Sequence, residues 1–156
     1  MNIEKIIEQY SAMVLRLARG VLHNIEDARD VSQDVFMVLL RTPNIDNYEG
    51  WLYRTTIRRA INFYKQNQSR KAREKNQKTK LEQSACDKLE QQEQLEILQK
   101  KIIALPEGQR AVFLLRHQVN LPIKKIAEML HVTEGTVKKQ LSRALVNLGK
   151  ESHGRL

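Results

Sequence analysis

One stretch of this chain, residues 65–80, carries many charges and almost no apolar surface. It contains seven basic side chains, one acidic side chain and a single apolar residue, Ala72. Such a segment buries too little apolar surface to offset the conformational entropy lost on folding. The sequence therefore predicts a flexible basic linker over residues 68–86, whose first part can continue a preceding helix, with a folded unit on each side of it.

The first unit, residues 1–67, has apolar residues spaced three and four positions apart, which is the spacing of one face of an α-helix. Asn24 is a good N-cap for a second helix, and Pro43 disfavours helix in the residue before it, so this helix should stop there. The helices predicted for the unit span residues 3–22, 24–42 and 51–67.

The second unit, residues 87–150, shows the same spacing and is followed by a short tail, residues 151–156. Its predicted helices span residues 87–105 and 107–118, begin at Pro122, and run from a cap at Thr133 to about Gly149. Convincing alternation of Val, Ile and Thr is missing from the sequence, which has only six glycines and three prolines. The expected fold is all-α, with two small helical domains joined by the flexible linker.

The chain carries 27 basic and 18 acidic residues, a formal net charge of +9. This surplus indicates a polyanionic partner, either nucleic acid or an anionic membrane, against the plainer alternative of a surplus that only aids solubility. The longest apolar run, residues 35–40, is too short to cross a bilayer, and the N-terminus does not resemble a signal peptide. Cys86 is the only cysteine, so no intrachain disulfide can form and a cytoplasmic location is expected.

Residues 123–143 predict two helices joined by a tight turn, in which a short apolar helix braces a basic one. Val132 is expected to fill the turn. Gly135 has no Cβ, so we expect a partner backbone to approach the second helix closely there. The apolar residues expected to join the two helices are Ile126, Met129 and Leu130 on the first and Val137 and Leu141 on the second.

Four residues of this motif are left pointing outward: Thr136, Lys138, Lys139 and Arg143. Their side chains can donate to phosphates and to O6 and N7 of guanine. A plain basic amphipathic helix in a bundle is the alternative. The turn, the spacing and the basic face together favour a helix-turn-helix that lies in the major groove of DNA.

An acidic face is predicted on the second helix. Its members, three or four positions apart with Gln33 beside them, are Asp27, Asp30, Asp34 and Met37. The spacing alone favours a solvated face whose acids stabilise the helix start. His23 and Glu26 could be imagined to join Asp27 and Asp30 in a hydrolytic metal site. Because no second acidic cluster, phosphate-binding loop or nucleophile motif accompanies them, we expect no enzyme, no cofactor and no metal site.

Three segments resemble, in this order, segments of the extracytoplasmic-function sigma factors, the smallest members of the sigma-70 family of bacterial RNA polymerase. EDARDVSQDVFMVLL, residues 26–40, resembles the helix that binds core polymerase. WLYRTTIRRAINFYKQ, residues 51–66, resembles the helix that melts the −10 promoter element. Residues 104–145, which end in TVKKQLSRAL, resemble the domain that binds the −35 element. Each motif alone is moderately specific, and the ordered trio is highly specific.

The resemblance implies promoter-specific transcription initiation, and it implies three sets of site residues. Those for the −35 element are Thr133, Glu134, Gly135, Thr136, Lys138, Lys139 and Arg143. Those for the −10 element are Asn44, Asp46, Asn47, Arg54, Arg58 and Arg59. Those for core polymerase are Asp27, Asp30, Gln33, Asp34 and Met37.

The partners that the resemblance implies are core RNA polymerase, through its β′ clamp and β flap, promoter DNA, and an anti-sigma factor. The short polar side chains of residues 44–47 either read a base edge or form an ordinary turn, and the sequence weighs these evenly. Trp51 is expected in the core, and Tyr48 is a candidate to stack on a base. Alone, the chain should bind promoter DNA poorly, because the linker holds neither unit in register.

Four residues depart from the family pattern. Arg58 stands where Asn is frequent and Asn62 where Asp is common, which leaves the base preference at the −10 element open. Pro122 replaces a frequent Ser N-cap, and Gln140 replaces a frequent basic residue. The rival function is a helix-turn-helix regulator that binds a palindrome as a dimer, for which the acidic face would be unnecessary.

Overall fold

The computed structural model describes residues 2–75 and 86–149, and within these ranges the chain forms seven α-helices and no strand. The helices are α1 (Ile3–Leu22), α2 (Ile25–Arg41), α3 (Tyr48–Lys75), α4 (Cys86–Ala104), α5 (Glu107–His117), α6 (Ile123–Leu130) and α7 (Glu134–Gly149). The predicted all-α class is confirmed. Helices α1–α3 form the first unit, and α4–α7 form the second unit.

Helix α3 is longer than predicted at both ends. It starts earlier because Asn47 caps it, with the side-chain Oδ1 accepting a hydrogen bond from the backbone N–H of Gly50 at 3.2 Å. It ends at Lys75, so residues 68–75 of the predicted linker are helical. Residues 76–85 and the predicted tail, 151–156, lie outside the described residues.

The corner between α1 and α2 is set by two polar residues. The side chain of Asn24 accepts hydrogen bonds from the backbone N–H groups of Glu26 at 2.9 Å and Asp27 at 3.1 Å. Asn24 is therefore the predicted N-cap of α2. His23 adopts the left-handed conformation, with φ 54°, and its N–H closes the end of α1 on the carbonyl of Arg19. The corner folds α2 back against α1, so their apolar stripes meet.

The core of the first unit is formed by one face from each of its three helices. Completely or almost completely buried side chains include Val14 and Leu17 of α1, Val35 of α2 and Leu52 of α3. Helix α3 is also buried on a second side, where Tyr53 and Ile57 line a cavity of about 280 Å³ shared with α5. Helix α3 therefore packs on the other helices of the first unit with one side and faces the second unit with another.

The core of the second unit contains the predicted contact between α6 and α7. Ile126, Met129 and Val137 are buried, and Leu130 and Leu141 pack half-buried against them. The expectation for Val132 was wrong, because 39% of this residue is exposed. The turn is closed by the backbone instead, since the N–H of Val132 donates to the carbonyl of Ala127 at 3.1 Å.

Gly135 is not a site of close packing within the described chain. A Cβ at this position would meet only the hydroxyl of Thr133, at 3.8 Å. A close approach occurs at Gly20 of α1 instead. A Cβ there would lie 2.6 Å from Cγ of Gln118 and 2.9 Å from a methyl of Leu114, so glycine lets α5 pack directly on α1.

The two units pack against each other, which the sequence did not predict. Their buried apolar residues form one continuous cluster. At the contact between α4 and α1, the side-chain amide of Gln99 is buried and donates to the carbonyl of Val21 at 2.8 Å. This carbonyl lies at the end of α1, where it has no partner within the helix. The second unit therefore completes the hydrogen bonding of the first.

The half-buried imidazole of His23 gives the fold a pH-dependent element. Its Nε2 is buried without a hydrogen-bond partner among the described residues. It lies in a groove lined by Asp27, Tyr64 and Glu96. Burial lowers the pKa of His23 from its ordinary value of 6.5. The folded chain therefore disfavours the imidazolium form that the unfolded chain adopts.

We expect His23→Asn to reduce the loss of stability on acidification. As the pH falls through 6.5, the unfolded wild-type chain binds a proton before the folded chain does, so the free energy of unfolding decreases. Asparagine has no group that binds a proton in this pH range, and it tolerates the left-handed backbone conformation. Thermal melting between about pH 7.5 and pH 5.5 tests this difference.

His131→Asn is the matched control for this prediction. His131 also ends a helix in the left-handed conformation, with φ 56°, but its side chain is exposed. Equal pH dependence of the His23→Asn and wild-type melting temperatures would show that His23 does not contribute.

Candidate promoter-binding surfaces and polymerase-binding face

The seven residues predicted for the −35 element lie together at the turn before α7 and on its first three turns. All seven are exposed. The hydroxyl of Thr133 accepts a hydrogen bond from the backbone N–H of Thr136 at 3.1 Å, so Thr133 caps α7 as predicted. The cap leaves the positive end of the helix dipole accessible to a phosphate.

Helix α7 has a buried face and a basic face. Val137 and Ala144 have no exposed surface and fix the helix against the rest of the second unit. Lys138, Lys139 and Arg143 extend into solvent. Because the buried side is anchored, these three cations are presented by a rigid element. This arrangement can hold a DNA backbone and place donors at base edges.

Gln140 has a structural explanation for its departure from the family pattern. It is half-buried, and its amide lies 3.6 Å from the place where a Cβ of Gly108 would be. The side chain therefore faces the first turn of α5 rather than solvent. A cation at this position would be repelled by the positive end of the α5 dipole. The amide of Gln140 is uncharged and avoids this repulsion.

In the loop before α3, two of the predicted residues are exposed and the third has its side chain engaged in contacts within the protein. Asn44, in the left-handed conformation with φ 58°, and Asp46 are exposed. Asn47 is half-buried: its Oδ1 caps α3, and its Nδ2 lies 3.4 Å from Nε2 of His131. Turn chemistry therefore accounts for Asn47 in this structure, and Asn44 and Asp46 are the side chains accessible to a base.

Three arginines predicted for the −10 element follow this loop on α3, and two of them, Arg58 and Arg59, line a groove with Asp34 of α2. Arg54, Arg58 and Arg59 are all exposed. The guanidinium of Arg54 lies 5.7 Å from the ring centre of Tyr53, close enough for a cation–π contact. Arg54 and Arg58 line the cavity between α3 and α5, together with Arg110. Glu107 also lines this cavity, so three basic side chains and one acidic side chain lie where the first unit meets the second.

Two aromatic residues near the start of α3 pack against the core. Trp51 is half-buried there, in agreement with the expected core position. Tyr48, the candidate for stacking on a base, is also half-buried. Neither ring is fully sequestered, so the stacking role of Tyr48 stays a prediction.

The exposed part of the predicted polymerase-binding face comprises Asp30, Gln33, Asp34 and Met37. Asp27 is half-buried at the edge of this face, in the groove that also contains His23. The sequence reasoning missed Leu40, which is 55% exposed, three positions after Met37, which is 50% exposed. Continuing the same spacing by one step would have found Leu40. The face is therefore acidic in its first half and apolar in its second half.

The chain exposes a basic helix-turn-helix in the second unit and an acidic–apolar helix face in the first unit. Among the described residues, no cluster of three His, Cys, Asp or Glu side chains could hold a metal ion. Within the same part of the chain, no helix is both long enough and apolar enough to span a bilayer. The geometry is that of a helical protein with an exposed basic helix-turn-helix, a motif typical of DNA-binding proteins, and with an exposed acidic–apolar face on α2.

Comparisons with known proteins agree with this class. The family description "Sigma-70 region 2" matches residues 6–70, and "Sigma-70, region 4" matches residues 95–148. The RNA polymerase sigma factor YlaC of Bacillus subtilis is 27% identical over 96% of this chain and 91% of its own length. The ECF RNA polymerase sigma factor SigW of Bacillus subtilis is 25% identical over 94% of this chain and 86% of its own length.

Two solved structures share the fold. The first is CnrH in complex with the cytosolic domain of CnrY, with a TM-score of 0.59 at 18% identity over 99% of this chain and 89% of that chain. The second is the sigma factor RpoE in complex with the anti-sigma factor NepR from Bartonella quintana, with a TM-score of 0.51 at 17% identity over 97% of this chain and 98% of that chain. The chain belongs to the sigma-70 family of RNA polymerase sigma factors, in its extracytoplasmic-function group.

Proposed function

We propose that this sigma factor directs core RNA polymerase to promoters by binding the −35 element through α7 and the −10 element through the first unit. The observation that carries the proposal is the pair of exposed faces, one basic on α7 and one acidic–apolar on α2, in a single chain. A dimeric repressor needs the first face only. An initiation factor needs both, because it must bind DNA and polymerase together.

At the −35 element, the turn and start of α7 enter the major groove. The exposed cations Lys138, Lys139 and Arg143 donate to phosphates and to guanine. Thr133 and Thr136 lie at the helix N-terminus, where a backbone phosphate is stabilised by the dipole. Glu134 and Gly135 complete the exposed surface at the entry of the helix.

At the −10 element, the loop and α3 bind the separated strand and so help to melt the duplex. Taking a base out of the stack costs a few kcal/mol, which contacts in a shaped site must repay. The exposed Asn44 and Asp46 offer polar groups for a base edge. Arg54, Arg58 and Arg59 supply positive charge for the backbone of the strand. Asn47 contributes by holding the start of α3 in place.

On core polymerase, α2 is the face that binds the β′ clamp. Asp30, Gln33 and Asp34 offer carboxylates and an amide to basic side chains, and Met37 and Leu40 offer exposed apolar area beside them. Asp27 lies at the edge of this contact. The second unit would contact the β flap.

The domain division that we propose is 1–67 and 87–150, joined by a linker, 68–86, whose first residues end α3, and followed by a tail, 151–156. The protein acts in the cytoplasm, without catalysis of its own. An anti-sigma factor is the proposed inhibitor, because both similar solved structures hold a second protein, named as the cytosolic domain of CnrY in one and as the anti-sigma factor NepR in the other.

Reconstitution with purified core polymerase tests the proposed function. We expect a complex that survives gel filtration and starts transcription at a subset of promoter fragments from a library. Core polymerase without the chain is the control. The proposal is wrong if no complex and no start site is found, and above all if the chain alone binds a palindromic operator tightly as a dimer.

A further inference from the structure

The cavity between α3 and α5 has a positively charged lining. Arg54 and Arg58, four positions apart and therefore on one face of α3, line it from one side, and Arg110 lines it from α5. Among the described residues that line it, Glu107 is the single carboxylate. Three guanidinium groups and one carboxylate give this lining a formal net charge of +2. The cavity therefore attracts anions.

The guanidinium of Arg110 is held beside this cavity with hydrogen-bonding capacity to spare. Its Nη2 donates to the carbonyl of Leu105 at 2.9 Å, and its Nε is buried without a hydrogen-bond partner among the described residues. Burial lowers the pKa of Arg110 from its ordinary value of 12.5, and the charge of Glu107 opposes this change. The group stays charged at neutral pH. A half-buried cation with an unpaired N–H group is stabilised by an anion placed next to it.

The start of α5 borders the same cavity and has no side-chain cap. Its N-cap residue is Pro106, which makes no capping hydrogen bond. Glu107 and Arg110, in the first turns of the helix, both line the cavity. The first N–H groups of a helix have no partner within it, and the helix dipole places partial positive charge there. The helix end and the three guanidinium groups therefore favour the same kind of ligand, a phosphate or another oxyanion.

The remaining wall of the cavity is largely apolar. It is formed by Tyr53, Ile57 and Ile61 of α3 and by Ala111 of α5. The volume of about 280 Å³ is about nine times the share of one water molecule in the liquid, about 30 Å³. A bare phosphate ion would leave part of this space and all of the apolar wall unused. A phosphate that carries a small apolar group can fill both parts.

We infer that the cavity between α3 and α5 binds a small organic phosphate, with the phosphate group on Arg54, Arg58 and Arg110 and the apolar group against Ile57 and Ile61. This site goes beyond the proposed function, which assigns no role to the cavity residues of α5. It shares Arg54 and Arg58 with the residues proposed for the −10 element. A bound phosphate ester would therefore compete with single-stranded DNA for two arginines, and this consequence rests on the proposed function.

Titration calorimetry of the full-length chain with phenyl phosphate tests the site directly. Inorganic phosphate and phenol are the matched probes, because each carries only one half of the ligand, the anion or the apolar ring. We expect phenyl phosphate to bind in a one-to-one ratio and about 10-fold more tightly than inorganic phosphate. This factor corresponds to the burial of about 55 Å² of apolar surface. Phenol should show weaker binding than either phosphate.

Arg110→Gln and Arg116→Gln form a matched pair of variants. Both arginines lie on α5, and each donates to a backbone carbonyl five positions away, that of Leu105 for Arg110 and that of Leu121 for Arg116. Of the two, Arg110 lines the cavity. We expect Arg110→Gln to weaken binding of phenyl phosphate about 10-fold, the effect of one charge-assisted hydrogen bond. Arg116→Gln should change it less than about twofold.

Glu107→Gln should have the opposite effect. It removes the carboxylate that opposes an anion in the cavity, so we expect binding about two- to fivefold tighter, the range of an exposed charge pair. This variant decides the question even if circular dichroism shows Arg110→Gln to be unfolded. Equal affinities of Glu107→Gln and wild type, or phenyl phosphate binding no tighter than inorganic phosphate, would overturn the inference. The titration uses neither polymerase nor promoter, so failure of this site and failure of the proposed function are seen in separate assays.

Discussion

Replacing Asp34 by lysine is expected to weaken the complex with core polymerase by about 10- to 100-fold, which is about 1.4–2.8 kcal/mol of binding free energy. Asp34 is exposed in the middle of the face formed by Asp30, Gln33 and Met37. A cation there would meet the basic side chains proposed for the β′ clamp. Titration of labelled core polymerase with the variant gives the dissociation constant.

The control for this change is Glu8→Lys. Glu8 is exposed on α1, outside the proposed face, and its replacement alters the net charge by the same amount. Thermal melting should show both variants folded. If the Asp34→Lys variant binds polymerase as the Glu8→Lys variant does, Asp34 does not belong to the interface.

Replacing Arg143 and Lys139 by alanine is expected to reduce −35-dependent promoter binding by the polymerase complex about 10- to 1,000-fold when the two changes are combined. Both side chains are exposed on α7, and Val137 and Ala144 on its other side anchor the helix. The two single variants are expected to show different effects if one residue contacts a base and the other contacts a phosphate. A residue that reads a base alters specificity at one position, whereas a residue on a phosphate lowers the salt slope by about one.

Lys100→Ala is the matched control for the loss of one cation. Lys100 is exposed on α4 and is not among the residues proposed for the −35 element. Footprinting of the polymerase complex over a range of salt concentrations measures both affinity and slope. If Arg143→Ala and Lys139→Ala, each as a single change, bind the −35 element as tightly as Lys100→Ala does, α7 has no role in promoter recognition.

Local chemistry made much of the fold predictable from the sequence. Asn24 and Thr133 have side chains that accept hydrogen bonds from the first turn of a helix, and the structure shows both doing so. The contact of Ile126 and Met129 with Val137 followed from helical spacing alone. These features depend on residues close in sequence, so no knowledge of distant parts of the chain was required.

One error arose where backbone geometry replaced a side chain. Val132 was expected inside the turn, but a backbone hydrogen bond from its own N–H closes the turn, and the side chain stays exposed. The close approach of a partner backbone at Gly135 stays a prediction, and within the described chain a close approach is found at Gly20, which the sequence did not single out for it. From the sequence alone, a glycine within a helix indicates only reduced helix propensity. Its role in close packing becomes visible only when the neighbouring helix is known.

The sequence by itself determined the number and approximate positions of the helices, the caps at Asn24 and Thr133, the basic face of α7 and the acidic face of α2, because each follows from spacing and charge within one segment. Only the tertiary structure decided how the two units meet. Glu49 and Lys125, which form an ion pair, are 76 positions apart, and Gln99 and Val21 are 78 apart. No periodic pattern links residues at such separations, since their contact depends on how whole helices pack.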